Sequence, residues 1–62
     1  MQTLSINQIV TYTQNGTHTG TVKQVRHNNY YVIIDNNNPA QLELWDAGYA
    51  VGADIHISQI VS

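Results

Sequence analysis

Hydrophobic and polar side chains alternate along most of this chain, which is typical of strands that bury one face. Leu42 and Leu44, for example, fall on one side of such a strand, and Gln41 and Glu43 fall on the other. Thr, Val, Ile and Tyr dominate, and these side chains fit a pleated, half-buried surface. The pattern predicts five strands, near residues 8–13, 17–27, 30–35, 40–45 and 54–57.

Asparagine, glycine and proline mark the connections between these strands. Asn and Gly both tolerate positive φ, so Asn15 with Gly16 predicts a tight turn after the first strand. Asn28 with Asn29 predicts a second turn of the same kind. Pro39 cannot donate a hydrogen bond to a sheet, and we therefore expect it at the start of the fourth strand or outside it.

The second strand carries two irregularities. Val22 and Val25 are three residues apart, which breaks strict alternation and predicts a bulge or bend between them. Gly20 indicates a point where the strand curves sharply or another backbone comes close.

The third strand is the predicted centre of the sheet. Residues 30–34 read Tyr-Tyr-Val-Ile-Ile, which is apolar on both faces. Taken with the alternation elsewhere, the pattern predicts a core of Ile9, Val22, Val25, Val32, Ile34, Leu42, Leu44, Ile55, Ile57 and Ile60.

The order of the segments resembles that of the SH3-like small β-barrels. A strand and a turn are followed by TGTV at 19–22, YYVIID at 30–35, LELW at 42–45 and DIHISQI at 54–60. This order is similar to the Tudor and KOW-type branches, in which Gly-x-Val precedes a Tyr- and Val-rich strand. The resemblance covers about residues 8–61. It implies an all-β, five-stranded, partly open barrel, and we expect residues 1–62 to form one domain.

The small size of the chain limits its stability. A domain of 62 residues buries only about 60% of the surface of its unfolded chain. The sequence has no cysteine, which excludes disulfides and thiolate metal sites. Self-association is the remaining common way for so small a domain to gain stability.

Charged residues make up 10% of the chain, against about 25% in an average domain. Residues 30–34 are the longest apolar run, far short of the ~20 residues of a membrane-spanning helix. The beginning, MQTLSINQ, lacks the basic and apolar segments of a signal peptide. We therefore expect a soluble, cytoplasmic protein.

The charge balance argues against phosphate-driven binding of nucleic acid. The net charge is −2, and Lys23 and Arg26 are the only basic residues apart from histidines. Such binding needs several Lys or Arg contacts on one face. On their strand these two residues share a face only if the bulge lies between them.

Metal-binding and catalytic signatures are missing from the sequence. His18, His27 and His56 are too far apart for a familiar zinc spacing. The carboxylates of Asp35, Glu43, Asp46 and Asp54 fall at turns or on an outer face. The only hydroxyls near a histidine are the threonines around His18, and no third group is present to orient such a pair. We expect no enzymatic activity, no cofactor and no metal.

The aromatic residues are the strongest candidates for a binding surface. With four Tyr, one Trp and no Phe, every aromatic ring carries a polar group and suits a wet boundary. Electron-rich ring faces attract cations, and a carboxylate beside Trp45 strengthens that attraction. The predicted binding residues are Tyr12, Tyr30, Trp45, Asp46 and Tyr49. Alternatively, Trp45 is a lid over one open end of the barrel.

These observations predict a non-catalytic module that binds a basic segment of a protein partner. One alternative is a KOW-like module for RNA or DNA, in which Lys23, Arg26 and Tyr31 would contact a single strand. The other is a homo-oligomeric structural subunit, since threonine-rich strand edges with few charges are open to pairing with a second copy.

Overall fold

A computed structural model describes residues 4–61 and contains one four-stranded antiparallel sheet with the strand order β1-β2-β3-β4. The strands are β1 (Ile9–Thr13), β2 (Thr17–Val25), β3 (Tyr30–Asp35) and β4 (Ala53–His56). One helix, α1 (Pro39–Asp46), lies between β3 and β4, and short 3₁₀ turns occupy His27–Asn29 and Ile57–Gln59. The protein is thus β-rich, as the alternation predicts.

Both predicted asparagine turns are present. Asn15 has φ 54° and Gly16 has φ 127°, and the turn is closed by the pairing of Thr13 with Thr17. Asn28 and Asn29 have φ values of 60° and 65° between β2 and β3. Asparagine occupies this left-handed region more readily than other non-glycine residues, which explains its use at both turns.

The predicted bulge in β2 is confirmed. The pairing of β2 with β3 shifts between Val22 and Gln24, so Val22 opposes Ile33 and Gln24 opposes Val32. A bulge bends its strand and increases the local twist. The shift keeps Val22 in the core while Val25 comes to lie 53% exposed.

The prediction of a strand near residues 40–45 is wrong, because Pro39–Asp46 forms α1. Pro39 stands in the first turn of the helix, where its missing N–H removes no helical hydrogen bond. Ala, Gln, Leu and Glu then follow, and all of them favour helix. The alternation of Leu42 and Leu44 had suggested a strand, but both are exposed. The five-strand prediction therefore reduces to four strands.

The main core lies on one side of the sheet, here called the inner face. It consists of Leu4, Val10, Tyr12, Val22, Tyr31, Ile33 and Ile55, with Ala53, Ile57 and Ile60 packed against it. Ile9 was predicted in this core but is 66% exposed, because Val10 and Tyr12 are the inward residues of β1. The inward positions of β1 are therefore shifted by one residue from the predicted phase.

The opposite side of the sheet, here called the outer face, is covered in part by α1. Val32 and Ile34 are buried but do not belong to the inner cluster. The helix packs on β3, the strand that carries them. As predicted, β3 is an interior strand with apolar residues buried on both faces.

The end of the described chain returns to β1. Ile60 forms a bridge with Tyr12, and the N–H of Val61 donates to the carbonyl of Thr11 at 2.7 Å. The side chain of Gln59 donates to the carbonyl of Thr13 at 2.8 Å. These contacts join the segment that follows β4 to the free edge of β1, so the sheet curves around its core.

Gly20 lies where three elements come close together. A Cβ atom at this position would lie 2.6 Å from Ile33 Cγ2, 2.8 Å from the carbonyl oxygen of Ile34 and 3.0 Å from Tyr12 Cε1. We expect Gly20→Ala to lower the free energy of unfolding by about 3 kcal/mol, because a backbone atom cannot yield as a side chain can. Thr19→Ala, an exposed change on the same strand, is the control. Equal urea midpoints for the two variants would contradict this explanation.

Candidate functional site

Three adjoining depressions lie on the outer face, and together they are called the aromatic groove below. Their volumes are about 270, 170 and 370 Å³, and the second shares lining residues with each of the other two. Arg26 and Asp54 belong to the first two, and Gln24, Trp45 and Ala50 belong to the last two. The remaining lining residues are His27, Tyr30, Val32, Gly48, Tyr49, Val51 and Gly52.

The register of the sheet places one set of these residues on the outer face. Val32 is opposite Gln24 in β2 and opposite Asp54 in β4, and paired residues project to the same side. Tyr30, two residues before Val32, projects to that side as well. Its ring meets His56 edge-on, with centroids 5.0 Å apart. Three adjacent strands thus form the floor and one end of the groove.

The C-terminal end of α1 and the turn after it form one wall of the groove. The N–H of Gly48 donates to the carbonyl of Trp45 at 3.0 Å, and the N–H of Tyr49 donates to the carbonyl of Leu44 at 3.0 Å. Gly48 has φ 98°. This is the Schellman pattern, in which a glycine in the left-handed region ends a helix. The turn brings Tyr49 beside Trp45, and both line the same depression.

An ion pair stands in the middle of the groove. Arg26 Nη1 lies 3.7 Å from Asp54 Oδ1, and the two side chains are 52% and 58% exposed. A pair so exposed to water contributes little to stability. Both charged groups therefore stay accessible to a molecule in the groove.

The structure brings together three of the five predicted binding residues: Tyr30, Trp45 and Tyr49 line the aromatic groove. Asp46 is exposed next to Trp45 at the end of α1 but is not a lining residue. Tyr12 lies apart, because it is buried on the inner face.

The residues of the nucleic-acid alternative are separated in space. Arg26 lines the aromatic groove, whereas Lys23 lines another depression of about 200 Å³ beside Ile34 and Leu42. Tyr31 is buried in the core. Of the three residues predicted to contact nucleic acid, only Arg26 lines the aromatic groove.

Sequence reasoning did not include Asp54 or Gln24 in the binding surface. Asp54 follows Gly52 and Ala53, and this spacing suggested a turn residue. The alternation along the strand could have indicated its position, because successive strand residues project to opposite faces and Ile55 projects into the core. The position opposite Val32 depends on sheet register, which the sequence did not reveal.

A second polar cluster lies at the far end of the sheet. His18 Nδ1 is 3.0 Å from Asp35 Oδ2, and His18 Nε2 is 2.9 Å from the carbonyl oxygen of Gln14. Both neighbouring groups are hydrogen-bond acceptors, and they lie on the two ring nitrogens of His18. The ring stacks on Tyr12 with centroids 5.4 Å apart, and Asp35 also accepts from the N–H of Asn37. The cluster ties the first hairpin to the end of β3.

Within the part of the chain that the structure describes, no three His, Asp or Glu side chains gather in positions that would hold a metal ion. None of the helices in residues 4–61 has the length and apolar character needed to cross a membrane. Comparisons of the chain with protein-family models, with curated proteins and with solved structures give no significant match.

Trp45 is half-buried, which makes it both a packing residue of α1 and a wall of the groove. We expect Trp45→Ala to lower the free energy of unfolding by about 1–2 kcal/mol, less than the ~3–5 kcal/mol of a fully buried Trp. The fold should survive, as judged by far-UV circular dichroism. Leu44→Ala, at an exposed neighbouring position, should cost about 0.5 kcal/mol or less. A loss of folding on Trp45→Ala would instead identify a structural lid.

Burial of the phenol, with a further contribution from the Asp35 carboxylate, raises the pKa of Tyr12 above its ordinary value of 10.0. The unfolded chain therefore loses this proton at lower pH than the folded protein does. Stability from Tyr12 is complete below pH 10 and falls as the pH rises further. Above pH 10 we expect the unfolding free energy of wild type to fall more steeply with pH than that of Tyr12→Phe, which lacks the phenol. Parallel curves for the two proteins would contradict the assignment.

Proposed function

We propose that this chain is a non-catalytic protein-binding module whose aromatic groove holds an extended, basic segment of a partner. In this proposal the fold is an SH3-like barrel. The return of Ile60 to Tyr12 after the 3₁₀ turn supports it, since this contact extends the pairing order beyond β1. The bulge in β2 also supports it, because a bulge bends its strand.

The observation that carries the proposal is the convergence of three aromatic rings and a carboxylate on one groove. Tyr30 and Tyr49 are 40% and 62% exposed, although burial of their rings would be favourable. Asp54 lies between the two ends. Ring faces and a carboxylate together attract an ammonium or guanidinium group more strongly than either does alone.

Charge complementarity favours a basic partner. The net charge of the chain is −2. Asp46 stands at the C-terminal end of α1, where the helix dipole disfavours a negative charge. Its position does not stabilise the helix, and a basic segment that passes Trp45 would meet this second carboxylate.

A second candidate function is the binding of single-stranded nucleic acid. The presence of Arg26 in the same groove as Tyr30 and Trp45 favours it, because bases stack on aromatic rings while a cation contacts the phosphates. A single arginine with two aspartates nearby gives a weak electrostatic basis for such binding.

The fluorescence of Trp45, the only tryptophan, reports directly on occupation of the groove. We would titrate the protein with short capped Gly-Ser peptides that carry two arginines, two glutamines or two glutamates, and with a single-stranded oligonucleotide. The arginine peptide should bind at least about tenfold more tightly than the glutamate peptide, and added salt should weaken it.

Tyr49→Ser provides the matched test of the groove, and Ile9→Ser, an exposed change on β1 outside the groove, provides the control. Only the first should reduce binding of the arginine peptide. Preference for the oligonucleotide would put the nucleic-acid function first. Equal binding of all three peptides, or binding to none, would overturn the proposal. Sedimentation at increasing concentration tests the homo-oligomer separately.

A further inference from the structure

We propose that Arg26 is a built-in competitor for the aromatic groove, so that a ligand's basic side chain binds by replacing the Arg26 guanidinium at Asp54. This inference rests on the proposed function. It names Arg26, the residue directly after β2, as the one that sets how readily the groove accepts a cation.

The geometry places Arg26 where a ligand cation would bind. Its guanidinium faces Asp54, and the two residues line both of the first two depressions of the groove. Tyr30 lies beside them in the first depression. A carboxylate next to an exposed ring is the favoured site for a cation, and the protein supplies its own cation there.

The contact is weak enough to be exchanged. The closest approach is 3.7 Å, longer than a hydrogen bond, and both side chains are more than half exposed. The backbone of Arg26, in contrast, is held, because its N–H donates to the carbonyl of Tyr30 at 2.8 Å. The side chain can leave Asp54 without any change in the β2–β3 turn.

The chain provides a matched control for net charge. Lys23 is the only other Lys or Arg, and it lines the separate depression near α1. Its ammonium group donates to Asn7 Oδ1 at 3.3 Å. Arg26→Gln and Lys23→Gln therefore remove the same charge, but only the first frees Asp54.

The test uses the capped arginine peptide and Trp45 fluorescence, with urea denaturation to show that each variant is folded. Arg26→Gln should raise affinity about two- to fivefold, the range set by the loss of one exposed ion pair. Lys23→Gln should give a smaller increase, since its effect is only long-range. Asp54→Asn should lower affinity, and in that background Arg26→Gln should have no further local effect.

Each contrary result has a distinct meaning. Equal gains from Arg26→Gln and Lys23→Gln would show that net charge alone matters, and the competitor role would be overturned. Lower affinity on Arg26→Gln would show that Arg26 contacts the ligand, which also overturns it. In both cases the groove still binds the basic peptide. If wild type and all variants fail to bind that peptide, the proposed function fails with the inference.

Discussion

The burial of β3 on both faces is the constraint on which the rest of the structure depends. Tyr31 and Ile33 face the inner core, and Val32 and Ile34 need a cover on the outer face. The helix α1 packs against β3, and the segment at Gly52 also lies close to Val32 and Ile34. A helix between β3 and β4 thus replaces the strand that alternation had indicated, and exposed Leu side chains on the helix are tolerated as a consequence.

The groove follows from that cover. The helix ends at Asp46, and the turn through Gly48 brings Tyr49 beside Trp45. The sheet extends past the end of the helix, so that its outer-face residues near the β2–β3 turn stay in water. The aromatic groove lies between the end of the helix and the sheet, with aromatic rings on one side and strand residues on the other.

The scarcity of charge gives individual ionised groups unusual local importance. Apart from its histidines the chain has two basic and four acidic residues, and the contacts His18–Asp35 and Arg26–Asp54 stand at opposite ends of the sheet. His18 with Asp35 fastens the first hairpin to β3. The contact of Arg26 with Asp54 contributes little to stability, because both side chains are exposed. The first contact therefore joins two parts of the fold, whereas the second leaves both charged groups exposed to solvent.

The sequence by itself determined β1, β3, the bulge and both asparagine turns, because these depend on local φ preferences and on alternation within one strand. It also indicated three of the groove residues through their exposed aromatic character. Tertiary structure decided the rest. Short runs such as Leu42 to Trp45 suit a strand and a helix equally well, and in the folded protein this run belongs to a helix that packs on β3. The phase of β1, the burial of Tyr12 and the place of Asp54 opposite Val32 depend on register between strands, which is set by packing across the sheet and not by any residue's own preference.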